Sequence, residues 1–436
     1  MHWRAIFRHD DAWYGLYAGK RKGSGVIRKH LFVLLACVFV AMIGLGIAMP
    51  VLPFYVERLG LAEGVSRQSI VLHATLLTGV YALMQLIFAP MWGRWSDRIG
   101  RRPLILMGIA GYVVAQVFFG LSTSLWLLYT ARMLGGILSS ATLPVSAAYV
   151  ADMTTDQERS RGMAWLGTAV SLGFVVGPAL GGRLSRTDLH FSARYGHFLI
   201  DSFSVPFFVA AFLGLLTLFA ALRWLPESLP AHAPRAAGEA TETDWRRRAR
   251  SLGPLLGLAL VGQFGLATFE ATFALYGQAK FNYGPVEVGA VFVVCGLVMA
   301  VFQIGAVGFL AGKISEMIQL GVGFALMGTG IALLVMARDS FYVFAFVGLL
   351  ALGTAFISPN LAALISKRGG SRRVGTAFGV QMAANSLGLA SGSLVGGALF
   401  IWQMNAPYLL TGALLITVAL GIGWKAADRQ REARRA

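Results

Sequence analysis

Long stretches without a single ionised side chain constrain this chain more than any other feature. Leu31 to Val56 has none, nor do Gln68 to Gly93, Gly162 to Gly182, or Ser202 to Leu222. The pattern returns at Val288 to Gly312, Met317 to Ala337 and Ser340 to Ser366. Each run is long enough to cross a hydrocarbon layer of ~30 Å, which takes about 20 helical residues. Helices of water-soluble cores are shorter and apolar on one side only. Two longer runs each hold two helices: Pro103 to Ala131 breaks at 120–124, and Val374 to Trp424 breaks at 403–407. Both breaks carry turn-forming residues. A further apolar stretch from Pro254 carries one charge, Glu270, as the fourth span carries Arg132, so the chain reads as an all-α integral membrane protein of twelve spans. They begin near residues 31, 69, 103, 125, 162, 203, 254, 287, 318, 341, 374 and 406.

A net charge of +17 invites a nucleic-acid reading, but the distribution excludes it. Of the 37 Lys and Arg, 29 fall on the side of the N-terminus, 7 on the opposite side, and Arg132 within a span. That asymmetry is the positive-inside pattern and predicts that both termini are cytoplasmic. The basic excess then reports topology and contact with anionic lipid. Residues 1–30 form a cytoplasmic segment, too long and mixed for a signal peptide. Its Trp3, Phe7, Trp13, Tyr14 and Tyr17 suit either an interfacial helix or a disordered tail. Cys37 and Cys295 both lie inside spans, so neither a disulfide nor a metal site is expected.

The chain also repeats itself. Ser171-Leu172-Gly173-x-x-x-Gly177-x-x-x-Gly181-Gly182-x-Leu184 recurs, 215 residues on, as Ser386-Leu387-Gly388-x-x-x-Gly392-x-x-x-Gly396-Gly397-x-Leu399. Glycines at this spacing are common where membrane helices touch. An identical string at one offset in both halves signals duplication. Six spans per repeat make the repeats parallel, and such bundles rock about a site near the midplane. The expected organisation is a bundle over 31–224, a cytoplasmic linker over 225–253, a bundle over 254–424 and a tail over 425–436. Pro226, Pro230 and Pro234 stiffen the linker, and Arg246, Arg247, Arg248 and Arg250 close it.

The most specific motif is Gly93-Arg94-Trp95-Ser96-Asp97-Arg98-Ile99-Gly100-Arg101-Arg102-Pro103 between spans 2 and 3. It sets an acid at the end of span 2 beside a tight basic hairpin. The segment resembles the loop signature G-x-x-x-D-R-x-G-R-[KR] of the major facilitator superfamily. With twelve spans and the half-repeat, the resemblance covers essentially the whole chain. It implies the major facilitator fold, two parallel six-helix repeats. It also implies a conformational latch made by Gly93, Asp97, Arg98, Gly100, Arg101 and Arg102, with Asp97 steadying the outward-facing state. The corresponding Gly308 to Lys313 stretch of the second half lacks the acid.

Span 5 carries Gly173-x-x-x-Gly177-Pro178-x-x-Gly181-Gly182, a kinked and closely packed helix on its own terms. The string is similar to the signature of drug/proton antiporters within the superfamily and implies efflux. Arg132, in Arg132-Met133-Leu134-Gly135-Gly136, resembles the family's R-x-x-x-G pattern. An arginine at membrane depth is functional by default, the alternative being a snorkelling end. In span 7, Phe269-Glu270-Ala271-Thr272-Phe273 resembles the seventh helix of quinolone and multidrug efflux proteins, whose glutamate takes part in proton coupling. A low dielectric favours the neutral carboxyl, which suits a group that must take up protons. The competing reading pairs Glu270 with Lys280. Gln263 and Phe273 share the face of Glu270 and are expected in the substrate cavity. Gln85 and Asn360 either line that cavity or hydrogen-bond between helices. His73 reads as a packing histidine.

Span 1, with Gly44-x-Gly46-x-x-Met49-Pro50-Val51-Leu52-Pro53, and span 2, with Tyr81-Ala82-Leu83-Met84-Gln85, resemble the tetracycline antiporters. Those carry an acid nine residues before the first proline, where this chain has Ala41. Span 10 has no acid either, which leaves Glu270 as the single acid deep in any span. No HExxH, GxSxG or phosphate-binding loop occurs, so neither an enzyme nor an ATP-driven pump is expected. The expected function is efflux of amphipathic drugs, tetracycline- or quinolone-like, in exchange for protons. The cavity would be lined by spans 1, 4, 7 and 10, with Arg132 acting on Glu270. Substrate, protons and lipid are the expected partners, the proton gradient is the energy source, and no cofactor, metal or nucleic acid is needed. The protein is read as a monomer in a plasma membrane, the inner one in a bacterium. A metabolite uniporter or symporter, a lipid flippase and a non-transporting membrane protein are the alternatives.

Overall fold

The computed structural model describes residues 24–154, 156–186, 192–195, 198–228, 242–310, 314–369 and 374–435. The aromatic residues of the N-terminal segment, Pro230, Pro234 and Lys313 lie outside the described residues. So do the side chains of Gly308 to Leu310 and of the linker arginines Arg246, Arg247, Arg248 and Arg250.

Twelve helical segments are long and apolar enough to cross a membrane. Spans 1 to 6 are Lys29–Ala62, Arg67–Ile99, Arg101–Gly120, Leu125–Met153, Gly162–Leu184 and Val205–Trp224. Spans 7 to 12 are Leu252–Phe281, Pro285–Gln303, Glu316–Met336, Ser340–Ile365, Val380–Trp402 and Ala406–Lys425. Several helices run past the bounds that charge alone suggests, three of them by a turn or more into the chain's ends and linker. The first begins at Ser24, the seventh span's helix at Glu242, and the last continues to Arg435. Lys and Arg are good helix formers, so a helix need not stop where the hydrocarbon does.

The tight connections have local causes. Ser66, Ser124 and Ser315 accept from the backbone N–H of Ser69, Leu127 and Met317, capping spans 2, 4 and 9. Gly100 separates spans 2 and 3 at φ +112°, where a side chain would also strike Glu227. Between spans 5 and 6 lies a hairpin that the sequence did not announce, with Ser192–Tyr195 antiparallel to Phe198–Asp201. It ends on Asp201. One carboxylate oxygen of Asp201 accepts from Phe203 and Ser204 N–H at 3.0 and 3.2 Å, and the other pairs with Arg58 of span 1.

The glycine repeat is a pair of helix seams. In span 5 a methyl at Gly173, Gly177 or Gly181 would stand 2.9, 2.6 or 2.8 Å from the carbonyl oxygens of Phe39, Ile43 and Ile47 in span 1. In span 11 a methyl at Gly388, Gly392 or Gly396 would stand 3.0, 2.9 or 3.0 Å from Gln263, Ala267 and Thr268 of span 7. Thr268 Oγ1 also donates to Gly392 O at 3.1 Å. The last glycine of each string turns to the other half. Gly182 abuts Pro285 O and Gly289 of span 8, and Gly397 abuts Thr75 of span 2. One duplicated string thus builds each half and joins it to its partner.

The contacts between halves favour the face opposite the chain ends. Besides Gly182 and Gly397, Gly79 meets Leu394, and Gly296 meets Phe174 and Val175. There Gln278 Nε2 of span 7 donates to Glu57 of span 1 at 2.6 Å, while Arg67 holds the other carboxylate oxygen at 3.1 Å. Towards the face of the chain ends, a methyl added at Gly93 or Gly167 would meet nothing within 4 Å. The far face is therefore shut.

Gly177→Val should lower the thermal midpoint in detergent, because overpacking a close seam costs about 1–3 kcal/mol. The exposed Gly421→Val should not. A Gly79→Cys/Leu394→Cys pair, with both native cysteines replaced by serine, should form a disulfide on mild oxidation and stop the conformational cycle until reduced. A gel-shift assay reads the bond.

Candidate functional site

Span 4 holds the residues on which the site is built. Its first helix, Leu125–Leu138, gives way to a 3-10 turn at Ser139–Ala141 before a second helix, Thr142–Met153. Pro144 explains the change: it has no N–H to offer Ser140 O, and its ring crowds that carbonyl. The turn lies within the membrane beside a cavity of about 260 Å³. Ser139 and Ser140 line it, as do Arg132 and Gly135 one to two turns earlier.

The other walls come from both halves. Span 1 gives Ala41, Gly44 and Ala48, span 2 gives Tyr81 and Gln85, and span 3 gives Tyr112, Ala115, Gln116 and Phe119. Phe174 comes from span 5, Gln263 from span 7, and Asn385, Ser386 and Leu389 from span 11. Gly44 leaves the room that Tyr112 and Gln116 occupy. Span 10, expected in the wall, contributes nothing to it. Its polar residue is turned to a neighbour instead: Asn360 Nδ2 donates to Gln319 Oε1 of span 9 at 3.3 Å and to Phe356 O at 2.8 Å. That interhelical bond satisfies a buried amide within the bundle. Phe273 is likewise not a cavity residue. It is fully buried against Phe269 and Phe292, with ring centroids 5.0 and 6.1 Å away. Gln85 and Gln263 do face the cavity.

Arg132 is 6% exposed. Its guanidinium carbon lies 5.4 Å from the Tyr81 ring centroid and 5.3 Å from that of Phe119. Its Nε has no hydrogen-bond partner. The described ion pairs are Arg58–Asp201, Arg67–Glu57, Arg101–Asp97 and Arg101–Asp152, so neither Arg132 nor Glu270 belongs to one. Glu270 lies outside the cavity wall, two turns of span 7 beyond Gln263, with Cys295 of span 8 as its electrostatic neighbour. The competing pairing of Glu270 with Lys280 is absent, and Lys280 Nζ donates instead to Tyr276 Oη at 2.8 Å and Val335 O at 2.6 Å. Arg132 and Glu270 thus occupy different surroundings, and no direct pairing joins them. His73 Nδ1 lies 3.0 Å from Tyr129 Oη, an interhelical contact.

A second polar cluster sits at the ends of spans 2, 4 and 6. Arg101 rather than Asp97 is its hub. The Arg101 guanidinium meets Asp97 at 2.6 Å, Asp152 at 3.0 Å, and Ser96 Oγ. Glu227 accepts the first free N–H groups of span 3, Arg101 N at 2.8 Å and Arg102 N at 3.1 Å. A carboxylate at a helix N-terminus is stabilised by those donors and by the helix dipole. Arg102 adds a bond to Leu222 O, and Ser228 a bond to Asp152. Asp152 and Glu227 escaped the sequence reading. Acids bordering the two loops beside an unusually basic one were the available signal. Gly93 joins only through its carbonyl, which accepts from Ser96 Oγ at 2.7 Å. Asp97 remains 64% exposed.

The comparisons with known proteins agree with this architecture. The model of the Major Facilitator Superfamily matches residues 34–337. Multidrug resistance protein 2 of Bacillus subtilis is 31% identical over 410 residues, spanning 91% of this chain and 96% of that protein. The class G tetracycline resistance protein of Vibrio anguillarum is 31% identical over 403 residues, spanning 91% and 97%. The quinolone resistance protein NorA of Staphylococcus aureus is 26% identical over 405 residues, spanning 90% and 96%. Among solved structures, the human organic anion transporter MFSD10 is 23% identical with a TM-score of 0.68, spanning 91% of this chain and 99% of that one. That last likeness concerns the fold. The chain is a twelve-span transporter of small molecules, not an enzyme, and it belongs to the major facilitator superfamily, related to its drug/proton antiporters.

Proposed function

We propose that this protein exports amphipathic small molecules across a plasma membrane in exchange for protons, as a monomer with both termini in the cytoplasm. The observation that carries the reading is an aromatic cavity between two halves that are closed on the face opposite the chain ends. On the proposed orientation that is an inward-facing state, able to receive substrate from the cytosol or inner leaflet. The names of the relatives, multidrug, tetracycline and quinolone resistance proteins, support drug-like cargo.

In the cycle, the bundles 31–224 and 254–424 rock about the Gly182 and Gly397 contacts, while 225–253 tethers them and 425–436 trails into the cytoplasm. Glu270 takes a proton in the outward-facing state and releases it to the cytoplasmic side when substrate binds. Differential affinity of proton and substrate for the two states drives the exchange, since a ligand that binds both states equally shifts nothing. Because Arg132 and Glu270 are not paired, they act on each other through the conformational change rather than by direct contact. The Arg101 hub holds the cytoplasmic ends of spans 2, 3, 4 and 6 as one body, and Asp97, paired with Arg101 yet exposed, exchanges or shares that partner with the second half when the cytoplasmic side closes.

Inverted vesicles with an acidified lumen should accumulate a substrate dye with wild-type protein. Glu270→Gln should cut that accumulation by at least about tenfold while retaining equilibrium binding, the signature of a step lost rather than a site lost. Full gradient-driven uptake by the variant would remove Glu270 from coupling. Asp97→Asn should bind dye normally yet slow turnover by about tenfold, with its thermal midpoint little changed. A folding defect would instead lower the midpoint and the binding together.

A further inference from the structure

Among the described residues the cavity wall contains one formal charge, and it is positive. Among the lining residues Arg132 is the single ionised group, and no Asp or Glu shares the wall with it. A guanidinium held in low dielectric without a counter-ion is costly, and a stack on aromatic rings offsets only part of that. Arg132 Nε is buried and unpartnered, and the side chain makes no ion pair. A planar fork of this kind matches a carboxylate, which accepts two parallel N–H bonds. A cation brought to the same wall meets a like charge and no carboxylate, and neutral cargo can accept a hydrogen bond from Arg132 but brings no counter-charge.

We infer that this cavity selects organic anions, namely an aromatic body bearing a carboxylate. The carboxylate seats on Arg132, and the rings lie against Tyr81, Phe119 and Phe174. The size of the cavity, about 260 Å³, admits two or three fused rings rather than a large macrocycle. The inference deepens the export reading by naming its substrate class, but binding preference does not depend on that reading. Where export does operate, one monoanion leaving for one proton entering moves two positive charges inward. Membrane potential and pH gradient then drive the exchange together, whereas a monocation exchanged for one proton moves no net charge.

The test uses the full-length protein in phosphatidylcholine nanodiscs and three congeners of one shape: radiolabelled 2-naphthoate, neutral 2-naphthalenemethanol and cationic 2-naphthylmethylammonium. Naphthoate should bind saturably, and the cation should compete at least about tenfold more weakly than unlabelled naphthoate. Arg132→Gln should weaken naphthoate by at least about tenfold while competition among the neutral congener and its analogues persists. Arg132→Lys should keep part of the anion preference. Ala115→Asp supplies a wall carboxylate, since Ala115 Cβ lies 3.5 Å from a Cβ at Gly135. Beside the single guanidinium it leaves the wall with no net charge, so it should abolish the anion preference, and it serves if Arg132→Gln fails to fold. Equal or tighter binding of the cation to wild type overturns the inference, as does an unchanged preference in a folded Arg132→Gln protein or no saturable naphthoate binding. Gradient-driven naphthoate uptake is scored separately. An anion preference without proton-driven uptake sinks the export reading alone, and uptake without charge preference sinks this inference alone.

Discussion

Close approach of helix backbones at glycine is the constraint on which this structure depends. In water, two apolar faces are driven together by what they exclude. In a bilayer the surrounding chains are as apolar as leucine, so that drive is absent between helices. What remains is contact at short range and hydrogen bonding. The two Gly-x-x-x-Gly strings supply the first by letting span 5 lie on span 1 and span 11 on span 7. Thr268 supplies the second across one seam. Since each string also offers a glycine to the opposite half, the same few residues set both the internal order of a bundle and its contact with the other.

The cavity follows from that arrangement. The first helix of span 4 packs on spans 2 and 3 and turns Arg132 inward. Tyr81 and Phe119 close around it. The Pro144-induced 3-10 turn then opens the wall where Ser139 and Ser140 stand. A single fixed charge among aromatic and amide groups gives the site its chemical direction. Glu270 lies apart from the cavity, against span 8 of its own half. In the proposed cycle, a proton-binding group set apart from a cargo-binding group lets each prefer a different conformation, which is what linked exchange requires.

Much of this was legible in the chain itself. Runs with no charge, or in spans 4 and 7 a single one, located the twelve spans because hydrocarbon thickness leaves few alternatives, and the 215-residue repeat located the two seams. The cavity was only half legible. Gln85 and Gln263 face it, but a helix face read by spacing alone put Phe273 beside Gln263, while tertiary packing gives Phe273 to Phe269 and Phe292. Asn360 was open between cavity and partner until the side chain of Gln319 was seen. The Arg101 hub could not be assembled from one loop, because Asp152 and Glu227 arrive from spans far along the chain. Nor does hydropathy register a 3-10 turn, since the residues in it remain apolar or small.

The central claim is that cargo and proton movement are linked through one protein, and proton flux provoked by cargo tests it most directly. Proteoliposomes would be loaded with a lumenal pH indicator and given an acid interior, with potential clamped by potassium and valinomycin. On the inverted orientation, adding substrate outside should release lumenal protons at a rate that saturates with substrate and vanishes in protein-free vesicles. Substrate uptake without any change in lumenal pH would contradict the account and make the protein a facilitator that lets its cargo run down its own gradient.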